Sequence, residues 1–344
     1  MNPIDADTLL AWFDAHGRHD LPWQHPRTPY RVWISEIMLQ QTQVNTVVPY
    51  FERFMQRFPD VHALAAAAQD AVLALWSGLG YYARARNLHR AAQRIVDQHG
   101  GAFPSTLDDW LTLPGIGRTT AGAILAQAFE QRQPILDGNV RRVLARYHAV
   151  DGWPGDRAVQ DRLWQWAEAA MPHRRIADYT QAIMDLGATV CTRRPACQRC
   201  PLADDCRARA AGNPQAWPGR KPRKALPVKR TAMLILRNAD GRILFERRPP
   251  AGIWGGLWSL PECPVNESVS LHCRERLGVC VDHLSAGATF RHTFSHFHLD
   301  IVPVHGRLGD APAVKEGGNH VLSPPDKPPG GLPTPVRRLL RQPQ

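Results

Sequence analysis

Four cysteines crowd into a sixteen-residue segment, and this feature constrains the fold of the chain more than any other. They are spaced Cys-x5-Cys-x2-Cys-x5-Cys, at Cys191, Cys197, Cys200 and Cys206. Thiols this close in sequence cannot all pair as disulfides in a reducing compartment, but they can surround a single metal centre. The loop therefore predicts a metal site around which the neighbouring chain must close.

The number of ligands in this loop allows either zinc or an iron–sulfur cluster. Zinc sites are usually built from two separated Cys-x2-Cys pairs, whereas here one pair is flanked by two single cysteines, which favours a cluster in a compact loop. The three other cysteines are scattered along the chain, and we expect them to act as ordinary small hydrophobic residues: Cys263, Cys273 and Cys280.

The chain is strongly basic, with a formal net charge of +11 over 344 residues. Such a charge is typical of proteins that bind a polyanion, most often nucleic acid, although a generally Arg-rich surface would produce the same value. Four arginines in and beside the cysteine loop suit phosphate contacts, or they simply keep the loop soluble: Arg193, Arg194, Arg199 and Arg207.

The length and the apolar pattern limit the architecture. A single core rarely grows beyond about 250–300 residues, so this length favours two domains. No stretch approaches the roughly 18–20 consecutive apolar residues needed to span a membrane. The acidic, amphipathic N-terminal segment lacks the features of a secretory signal. We therefore expect a cytoplasmic protein.

The chain shows three regions of different sequence character. Residues 1–210 repeat apolar side chains at helical spacing and contain no convincing strand, which predicts an all-α domain that carries the cysteine loop at 191–206. Residues 211–229 are rich in Pro, Gly and basic residues, which is typical of a linker. Residues 230–340 predict a smaller mixed α/β domain.

The pattern within this last region is specific enough to predict its elements. A β-hairpin is expected at 231–246, turning at Asn238–Gly241, and a further strand at His298–Val304. A short helix is expected at Pro335–Arg341.

Two short segments of the helical region carry candidate functional residues. Gly115 and Gly117 lie in a turn between two predicted helices, where exposed backbone N–H groups suit a phosphate oxygen; a plain tight turn would look the same. About twenty residues later, Asp137 precedes a glycine at a predicted helix start. Taken alone, such an acid is most simply an N-cap.

Together these segments resemble the helix-hairpin-helix DNA glycosylases, and the cysteine loop narrows the resemblance to their iron–sulfur branch. The detailed similarity is to MutY-type adenine DNA glycosylases and covers nearly the whole chain. The matching motifs are Leu21–Gln24, Trp33–Val44, Gly78–Asn87, Leu136–Val140, Met184–Gly187 and Phe294–His296. The first cysteine gap is one residue shorter than is common in the family, which predicts a tightened turn with the same ligand set.

The resemblance implies an enzyme that flips adenine, mispaired with 8-oxoguanine or guanine, out of the duplex and hydrolyses its glycosidic bond. It implies Glu36 as the general acid that protonates adenine at N7, and Asp137 as the carboxylate that stabilises, or transiently bonds, the sugar cation. Because Trp33 and Ile37 are apolar neighbours of Glu36, we expect its pKa to be raised. Taken alone, Glu36 would be an ordinary solvated helix residue.

Further residues of the helical domain receive roles from the same resemblance. Endonuclease III-type enzymes carry a lysine where this chain has Thr119, and a hydroxyl cannot form a Schiff base, so the implied enzyme is a glycosylase without true lyase activity. Asn139 is implied to support Asp137. Gln181 and Trp23 are implied in the adenine pocket.

The resemblance also implies the DNA contacts and the cofactor. Gln41 and Tyr81 would enter the base stack. Thr42 and Leu79 would lie beside 8-oxoguanine. The backbone of Gly115 and Gly117 would contact phosphate. One [4Fe–4S] cluster is implied in the cysteine loop, and a monovalent cation at the hairpin is left open. The implied partner is double-stranded DNA, bound by a monomer.

The C-terminal region resembles the MutT-like (Nudix-fold) domain of the same family. A working Nudix hydrolase holds Mg²⁺ with clustered glutamates. Here Gly256-x5-Glu262 is present, but the following stretch lacks the paired acids, so we expect a recognition domain without pyrophosphatase activity. Phe294, Ser295 and His296 resemble the loop that detects 8-oxoguanine; the alternative is an ordinary strand-end loop.

Two other classes of protein fit part of the sequence. A non-enzymatic DNA-binding protein with a redox-sensing cluster would explain the charge, the hairpin and the cysteines, but it has no need of Glu36 and Asp137. A Nudix hydrolase with a helical appendage is disfavoured by the missing acidic helix.

Overall fold

Side-chain caps set the first helices of the chain. The computed structural model describes residues 3–221, 225–250, 252–309 and 319–341. Helix α1 (Ala6–His16) begins at Asp5, whose carboxylate accepts from the backbone N–H of Thr8 at 3.3 Å. Helix α2 (Pro29–Leu39) begins with proline after Thr28, whose hydroxyl accepts from the N–H of Arg31 at 3.3 Å.

The N-terminal part is helical throughout its described residues, as its apolar spacing predicted. The helices that follow are α3 (Val44–Arg57), α4 (Val61–Ala65), α5 (Gln69–Trp76), α6 (Ala83–His99), α7 (Leu107–Thr112), α8 (Arg118–Phe129), α9 (Gly138–Tyr147), α10 (Arg157–Ala169), α11 (Ile176–Asp185) and α12 (Arg207–Ala210). One π-helical turn, Leu186–Val190, continues directly from α11 towards the first cysteine. No strand occurs before Val228 in the part of the chain that is described.

An aromatic cluster holds the helices that carry the candidate site. Trp33 on α2 and Trp110 on α7 are fully buried, with ring centroids 6.3 Å apart, and Phe103 stacks on Trp110 at 6.0 Å. Helix α2 also packs against α8, and both α1 and α8 pack against α11. Burying such large rings is the main source of stability here, so the relative position of α2 and α8 is well determined.

The C-terminal part is built on one mixed sheet. Its elements are β1 (Val228–Arg237), β2 (Ile243–Arg247), β3 (Trp258–Ser259), β4 (Glu262–Cys263), α13 (Val269–His272), β5 (Val281–Ala286), β6 (Phe290–Thr293), β7 (His298–Leu308), β8 (His320–Ser323) and α14 (Thr334–Leu340). The main path runs β3-β2-β1-β7-β5, with β4 beside β1, β6 beside β7 and β8 beside β2. Only the β1–β7 pair is parallel among the described strands.

The elements predicted for this region are confirmed. Strands β1 and β2 form an antiparallel hairpin with Arg237 opposite Ile243. Its turn is closed by the N–H of Asn238, which donates to the carbonyl of Arg242 at 3.0 Å. The predicted strand at His298–Val304 extends to Leu308, and the last helix, Thr334–Leu340, falls where the sequence placed it.

The described chain forms two compact units. The first contains residues 1–66 and 87–223, and the second contains residues 67–86 and 224–344. Within the second unit, Arg247 pairs with Asp70 at 2.6 Å, and the Tyr82 hydroxyl donates to the carbonyl of Leu332 at 3.3 Å. Residues 67–86 therefore group with the C-terminal residues because of contacts that are distant in sequence.

The domain limits expected from the sequence, 1–210 and 230–340 with a linker at 211–229, stay predictions. Residues 222–224 of that linker, and 251 and 310–318 of the second region, lie outside the described residues. No helix in the described ranges is long and apolar enough to cross a membrane.

Gly122 in α8 lies where the backbone of Pro134 approaches the helix closely, so a substitution there tests this packing. A Cβ atom placed there would lie 2.6 Å from the backbone carbonyl oxygen of Pro134. We expect Gly122→Ala to destabilise the protein by roughly 1–3 kcal/mol through this clash, although alanine is the better helix former. Thermal unfolding followed by circular dichroism measures the loss. Gly138→Ala is the control, since it lies in the first turn of α9 with no atom within 4 Å of its added Cβ; equal melting temperatures for both variants would contradict the prediction.

Candidate active site

A cavity of about 1050 Å³ opens in the first unit. Its wall includes the side of α2 that faces α8, the start of α9 and part of α11. Eight of the residues predicted as functional line it together: Trp23, Glu36, Gln41, Thr42, Thr119, Asp137, Asn139 and Gln181. Residues separated by more than a hundred positions thus converge on one concave site, which is where binding sites of proteins are usually found.

Glu36 lies in this cavity on α2, between the buried residues Ser35 and Ile37. Gln127 on α8 donates from its side-chain nitrogen Nε2 to Glu36 Oε1 at 3.1 Å. Burial, assisted by the charge of Asp137, raises the pKa of Glu36 to about 7, while the hydrogen bond from Gln127 acts in the opposite direction. The predicted rise is confirmed, and the carboxyl group holds a proton for a substantial fraction of the time at neutral pH.

Asp137 is both an N-cap and a wall residue of the cavity. Its Oδ1 accepts from the backbone N–H of Val140 at 2.7 Å, which starts α9. Burial raises the pKa of this carboxyl group, whereas the backbone N–H groups of Val140 and Asn139 and the charge of Arg142 lower it. The capping role and the site role are therefore compatible, because only part of the carboxylate is used by the helix.

The two carboxyl groups together form an acid–base pair in one enclosed site. The negative charge of Asp137 helps to keep Glu36 protonated. Neighbouring carboxyl groups divide the acid and base roles when one is protonated and the other ionised, and the backbone N–H groups and Arg142 beside Asp137 favour its ionised form. The same lining contains Thr119 but, among the described residues, no lysine.

Asn139 and Arg142 connect the start of α9 to the chain that follows α11. Arg142 donates from Nη2 to the Asn139 side-chain oxygen at 2.8 Å and to the carbonyl of Gly187 at 2.6 Å. Its Nε donates to the carbonyl of Cys191 at 2.7 Å. Four positions later, Arg146 donates to the carbonyl of Thr192 at 2.6 Å. The spacing places both arginines on one face of α9, so this helix binds the cysteine loop.

Gln181 is held by a buried ion pair that the sequence did not reveal. Its Nε2 donates to Asp185 Oδ1 at 2.7 Å. Asp185 is fully buried and pairs with Arg18, whose Nη2 lies 2.6 Å from the same oxygen. Because a carboxylate accepts hydrogen bonds, the amide nitrogen of Gln181 must face Asp185, which leaves its carbonyl oxygen as the free acceptor.

The four cysteines of the loop face one small cavity, beside Arg146. Arg146 Nη1 lies 3.4 Å from Cys191 Sγ. A tetrahedral zinc ion would hold its thiolates roughly 3.8 Å apart, given a Zn–S distance of about 2.3 Å. Within the described residues, however, no three of these sulfurs lie within 4.8 Å of one another. The four thiols therefore share one cavity that suits a metal centre, and a single zinc ion would require their sulfurs to move closer together.

The first gap of the cysteine loop folds as a compact turn. The N–H of Ala196 donates to the carbonyl of Val190 at 3.0 Å, and the Thr192 hydroxyl donates to the carbonyl of Arg194 at 2.7 Å. Arg193 and Arg194 in this turn also line the large cavity. The shortened gap thus keeps basic side chains beside the site.

The hairpin glycines lie elsewhere on the first unit, outside the lining described above. Gly115 has a φ of +79°, and a Cβ atom there would lie 2.7 Å from the Cβ of Asn87, so glycine is required. Gly117 is the N-cap of α8 and has open space around it. This geometry agrees with close approach of a ligand to the backbone. The monovalent cation at the hairpin stays a prediction.

Gln41 and Tyr81, the residues expected to enter the base stack, share an unusual backbone conformation. Gln41 has a φ of 60° and Tyr81 a φ of 49°, in the left-handed region that non-glycine residues rarely adopt. In the second unit, the Tyr81 side chain is 51% exposed, while that of the predicted contact Leu79 is buried. The exposed ring of Tyr81 is therefore accessible to a ligand, whereas in this structure the side chain of Leu79 is not.

The turn Phe294–His296 projects polar side chains from the second unit. It is closed by the N–H of Phe294, which donates to the carbonyl of Phe297 at 2.9 Å. The ring of Phe294 stacks on the buried ring of Phe297 at 4.6 Å, while Ser295 and His296 are exposed. Two hydrogen-bonding side chains are thus presented to solvent on a fixed turn.

The remaining Nudix-like acid is engaged in an ion pair. Glu262 lies 2.9 Å from Arg248, its side chain only partly exposed. Within the described residues, no group of three carboxylates lies close enough to hold a metal ion. The activity expected to be absent from this unit, pyrophosphate hydrolysis, stays a prediction.

Sequence reasoning missed Gln127, Asp185, Arg18 and Arg142. No local pattern marks them, because each has at least one partner that is distant in the sequence. Asp185 had the best available signal, since it lies within the motif Met184–Gly187, but no role was inferred for it.

The raised pKa of Glu36 predicts a pH-dependent cost in stability. Between about pH 4.5 and 7 the folded chain binds more protons at this position than the unfolded chain, so stability falls as pH rises through that range. We expect Glu36→Gln to be more stable than the natural protein by about 3 kcal/mol at pH 8, and by less than about 1 kcal/mol at pH 5. Unfolding by urea at the two pH values measures this. Glu52→Gln, an exposed carboxyl on α3, is the control, and a difference for Glu36→Gln that does not change with pH would contradict the cause.

Comparison with known proteins agrees with this fold. The profile of the HhH-GPD superfamily of base excision DNA repair proteins matches residues 34–169, and a NUDIX domain profile matches residues 232–342. A solved structure of a thermostable thymine-DNA glycosylase is 26% identical with a TM-score of 0.53, covering 60% of this chain and 95% of that one. A non-covalent endonuclease III–DNA complex, 22% identical with a TM-score of 0.51, shows the same helical fold. The fold predicted for both parts of the chain is confirmed.

Relatives of known name extend over nearly the entire chain. The adenine DNA glycosylase of Buchnera aphidicola subsp. Acyrthosiphon pisum is 37% identical and covers 98% of this chain and 97% of its own length. The adenine DNA glycosylase of Homo sapiens is 35% identical, covering 85% of this chain and 65% of its own length. With this identity over this coverage, and with the paired carboxyl groups in one cavity, the chain belongs to the adenine DNA glycosylase family.

Proposed function

We propose that this chain removes adenine that is mispaired with 8-oxoguanine or guanine in double-stranded DNA, by hydrolysis of the N-glycosidic bond. The observation that carries the proposal is the enclosed pair of Glu36, with a pKa of about 7, and Asp137. Adenine is a poor leaving group, and its departure needs a proton on the ring and a negative charge near the sugar.

The proposed reaction begins with proton transfer from Glu36 to N7 of an adenine flipped into the cavity. The bond between C1′ and N9 then breaks, and its electron pair leaves with the base, which departs as neutral adenine. The Asp137 carboxylate stabilises the resulting cation at C1′, or bonds to it transiently. Water then adds to C1′ and loses a proton to the ionised Glu36, which leaves an abasic site and restores the acid.

The pocket residues support adenine as the base. Trp23 lines the same cavity and provides apolar surface. The free carbonyl oxygen of Gln181, with its amide nitrogen held by Asp185, is oriented to accept from the exocyclic amine of adenine. Guanine presents an oxygen at that ring position, so it would leave an acceptor facing an acceptor, at an expected cost of about 1–3 kcal/mol.

Hydrolysis without a covalent lyase step is supported by the donors in the cavity. A lyase needs an amine that attacks C1′, and Thr119 offers only a hydroxyl. Gln41 and Tyr81 are proposed to enter the base stack, and Thr42 to lie beside 8-oxoguanine. Leu79 is proposed to approach 8-oxoguanine through its backbone, because its side chain is buried. We propose that Asn139 orients Asp137 through its hydrogen bond with Arg142, and that the hairpin backbone at Gly115 and Gly117 contacts phosphate.

The cysteine loop is proposed to hold one [4Fe–4S] cluster through Cys191, Cys197, Cys200 and Cys206. When bound, this cofactor supplies a cross-link of the loop and no group that reacts with DNA. Carbonyl groups of the loop accept hydrogen bonds from Arg142 and Arg146. The loop also places the side chains of Arg193 and Arg194 in the lining of the cavity. We further propose that the chain binds DNA as a monomer.

An excision assay tests this function directly. The purified chain is incubated with a duplex that contains adenine opposite 8-oxoguanine. Each sample is then divided in two, and one half is treated with alkali. We expect strand breaks only after alkali, because hydrolysis leaves an intact abasic backbone. Glu36→Gln is expected to lower the single-turnover rate by at least about 100-fold, the usual contribution of a general acid. Wild-type excision by Glu36→Gln would remove its role, and breaks without alkali would show lyase activity.

The Phe294–His296 turn is proposed to recognise 8-oxoguanine through Ser295 and His296. We expect the combined change of Ser295→Ala and His296→Ala to reduce the preference for 8-oxoguanine over guanine roughly fivefold or more, since a lost hydrogen bond costs about 1 kcal/mol. Adenine excision opposite guanine should be nearly unchanged. Ser285→Ala, an exposed serine on β5, is the matched control. Equal rate losses on both duplexes would exclude a lesion-sensing role.

A further inference from the structure

Three side chains capable of binding a metal converge in the second unit, away from the cysteine loop in sequence. Cys263 at the end of β4, Glu267 in the following turn and His272 at the end of α13 each offer one ligand atom, and these atoms all lie within 4.8 Å of one another. The sequence had indicated Cys263 as an ordinary hydrophobic residue. The fold instead places its thiol beside an imidazole and a carboxylate.

The local backbone holds the three donors in place. Cys263 pairs with Ala232 in the sheet and is buried. The N–H of Glu267 donates to the carbonyl of Pro264 at 3.0 Å, which closes the turn, and the N–H of His272 donates to the carbonyl of Ser268 at 2.9 Å. All three donors come from ten consecutive residues, so little chain entropy opposes their assembly.

The donors differ in burial, as expected for a site at the edge of a core. Cys263 is buried, and 10% of the His272 side chain and 52% of the Glu267 side chain are exposed. His272 Nδ1 lies 3.0 Å from Glu267 Oε2. One face of the group is thus closed by the protein core, and the other is open to a water molecule.

The chemistry of this set selects zinc among the common biological metals. A thiolate, an imidazole and a carboxylate are all zinc ligands, whereas Mg²⁺ and Ca²⁺ prefer oxygen alone. A tetrahedral zinc ion spaces its ligand atoms roughly 3.3–3.8 Å apart. Side-chain rotations that move each atom by about 1 Å would therefore be enough to form the site.

We propose that Cys263, Glu267 and His272 bind one Zn²⁺ ion, with water as the fourth ligand. Binding releases the thiol proton of Cys263 to solvent and leaves a zinc-bound thiolate. The ion joins the end of β4 to α13, in the stretch where a Nudix hydrolase would carry its acid cluster. The site differs from the cysteine loop in its ligands, since it combines one thiol with an imidazole and a carboxylate.

Zinc content and zinc coordination in the full-length protein test the proposal. The chain, with its iron content measured, is equilibrated with ZnCl₂, dialysed and analysed for both metals. We expect one zinc per chain in addition to the iron. X-ray absorption at the zinc edge is expected to show one sulfur at about 2.3 Å and nitrogen or oxygen ligands at about 2.0–2.2 Å.

Matched variants separate this site from binding elsewhere. Glu267→Gln and His272→Ala are each expected to weaken zinc binding by more than the roughly 10–100-fold that follows loss of an outer-shell partner. Glu267 is half exposed, so its variant is expected to fold normally even if Cys263→Ser does not. The controls Glu275→Gln and Cys280→Ser, exposed groups of the same stretch, should bind zinc as the natural chain does.

Several results would overturn the proposal. A zinc shell of four sulfurs would place the ion in the cysteine loop. Unchanged zinc affinity in both Glu267→Gln and His272→Ala would leave only an ion pair beside a buried thiol. Less than one zinc per chain after equilibration would likewise show that these three side chains do not hold the ion.

Discussion

The hydrogen bond that starts α9 is the interaction on which the rest of the candidate site depends. Asp137 accepts from Val140 N–H at 2.7 Å, and this bond fixes both the first turn of the helix and the direction of the carboxylate. From that start, helical spacing places Arg142 and Arg146 against the carbonyls of the cysteine loop. One N-cap therefore sets both the carboxylate that is proposed to react and the helix that supports the cysteine loop.

Burial of the Glu36 carboxylate in this cavity costs free energy, and this cost raises the pKa on which the proposed proton transfer depends. Glu36 lies among buried residues of α2, and the nearby charge of Asp137 further opposes its ionisation. A carboxyl group with a pKa of about 7 is a good proton donor at neutral pH. The same rise in pKa lowers the stability of the folded chain as the pH increases to about 7. The aromatic packing around Trp33 and Trp110 offsets this cost, because it holds α2 in position.

The second unit combines the Nudix fold with side chains that differ from the acidic cluster of a Nudix hydrolase. It belongs to the Nudix fold by its profile match, yet Glu262 is paired with Arg248, and its neighbouring donors are a thiol, a carboxylate and an imidazole. Hard and soft metal ions need different ligands, and side chains supply those ligands. A change of side chains on the same backbone can therefore replace one kind of site with the other. The Phe294–His296 turn and the proposed zinc site would give this unit recognition and structural roles.

Much of the fold was predictable because it rests on local patterns. Helical spacing, the cap at Asp137, the hairpin around Asn238–Gly241 and the ligand set of the cysteine loop all depend on residues within a few positions of one another. The resemblance likewise identified eight of the residues that line the cavity, six of them within the matching motifs. Their common location was not visible in any one motif, but it followed from the resemblance.

What only the tertiary structure decided are the contacts between distant elements. The Gln127–Glu36 hydrogen bond requires α8 to pack on α2, and the Arg18–Asp185 pair requires α1 to pack on α11. The grouping of residues 67–86 with the C-terminal unit, and of Cys263 with Glu267 and His272, also depends on how elements pack. The sequence by itself determined which elements form, since these follow from spacing and residue type, and its family resemblance indicated the candidate functional residues. The partners that tune those residues depend on which faces meet, and that is decided by the packing of the entire core.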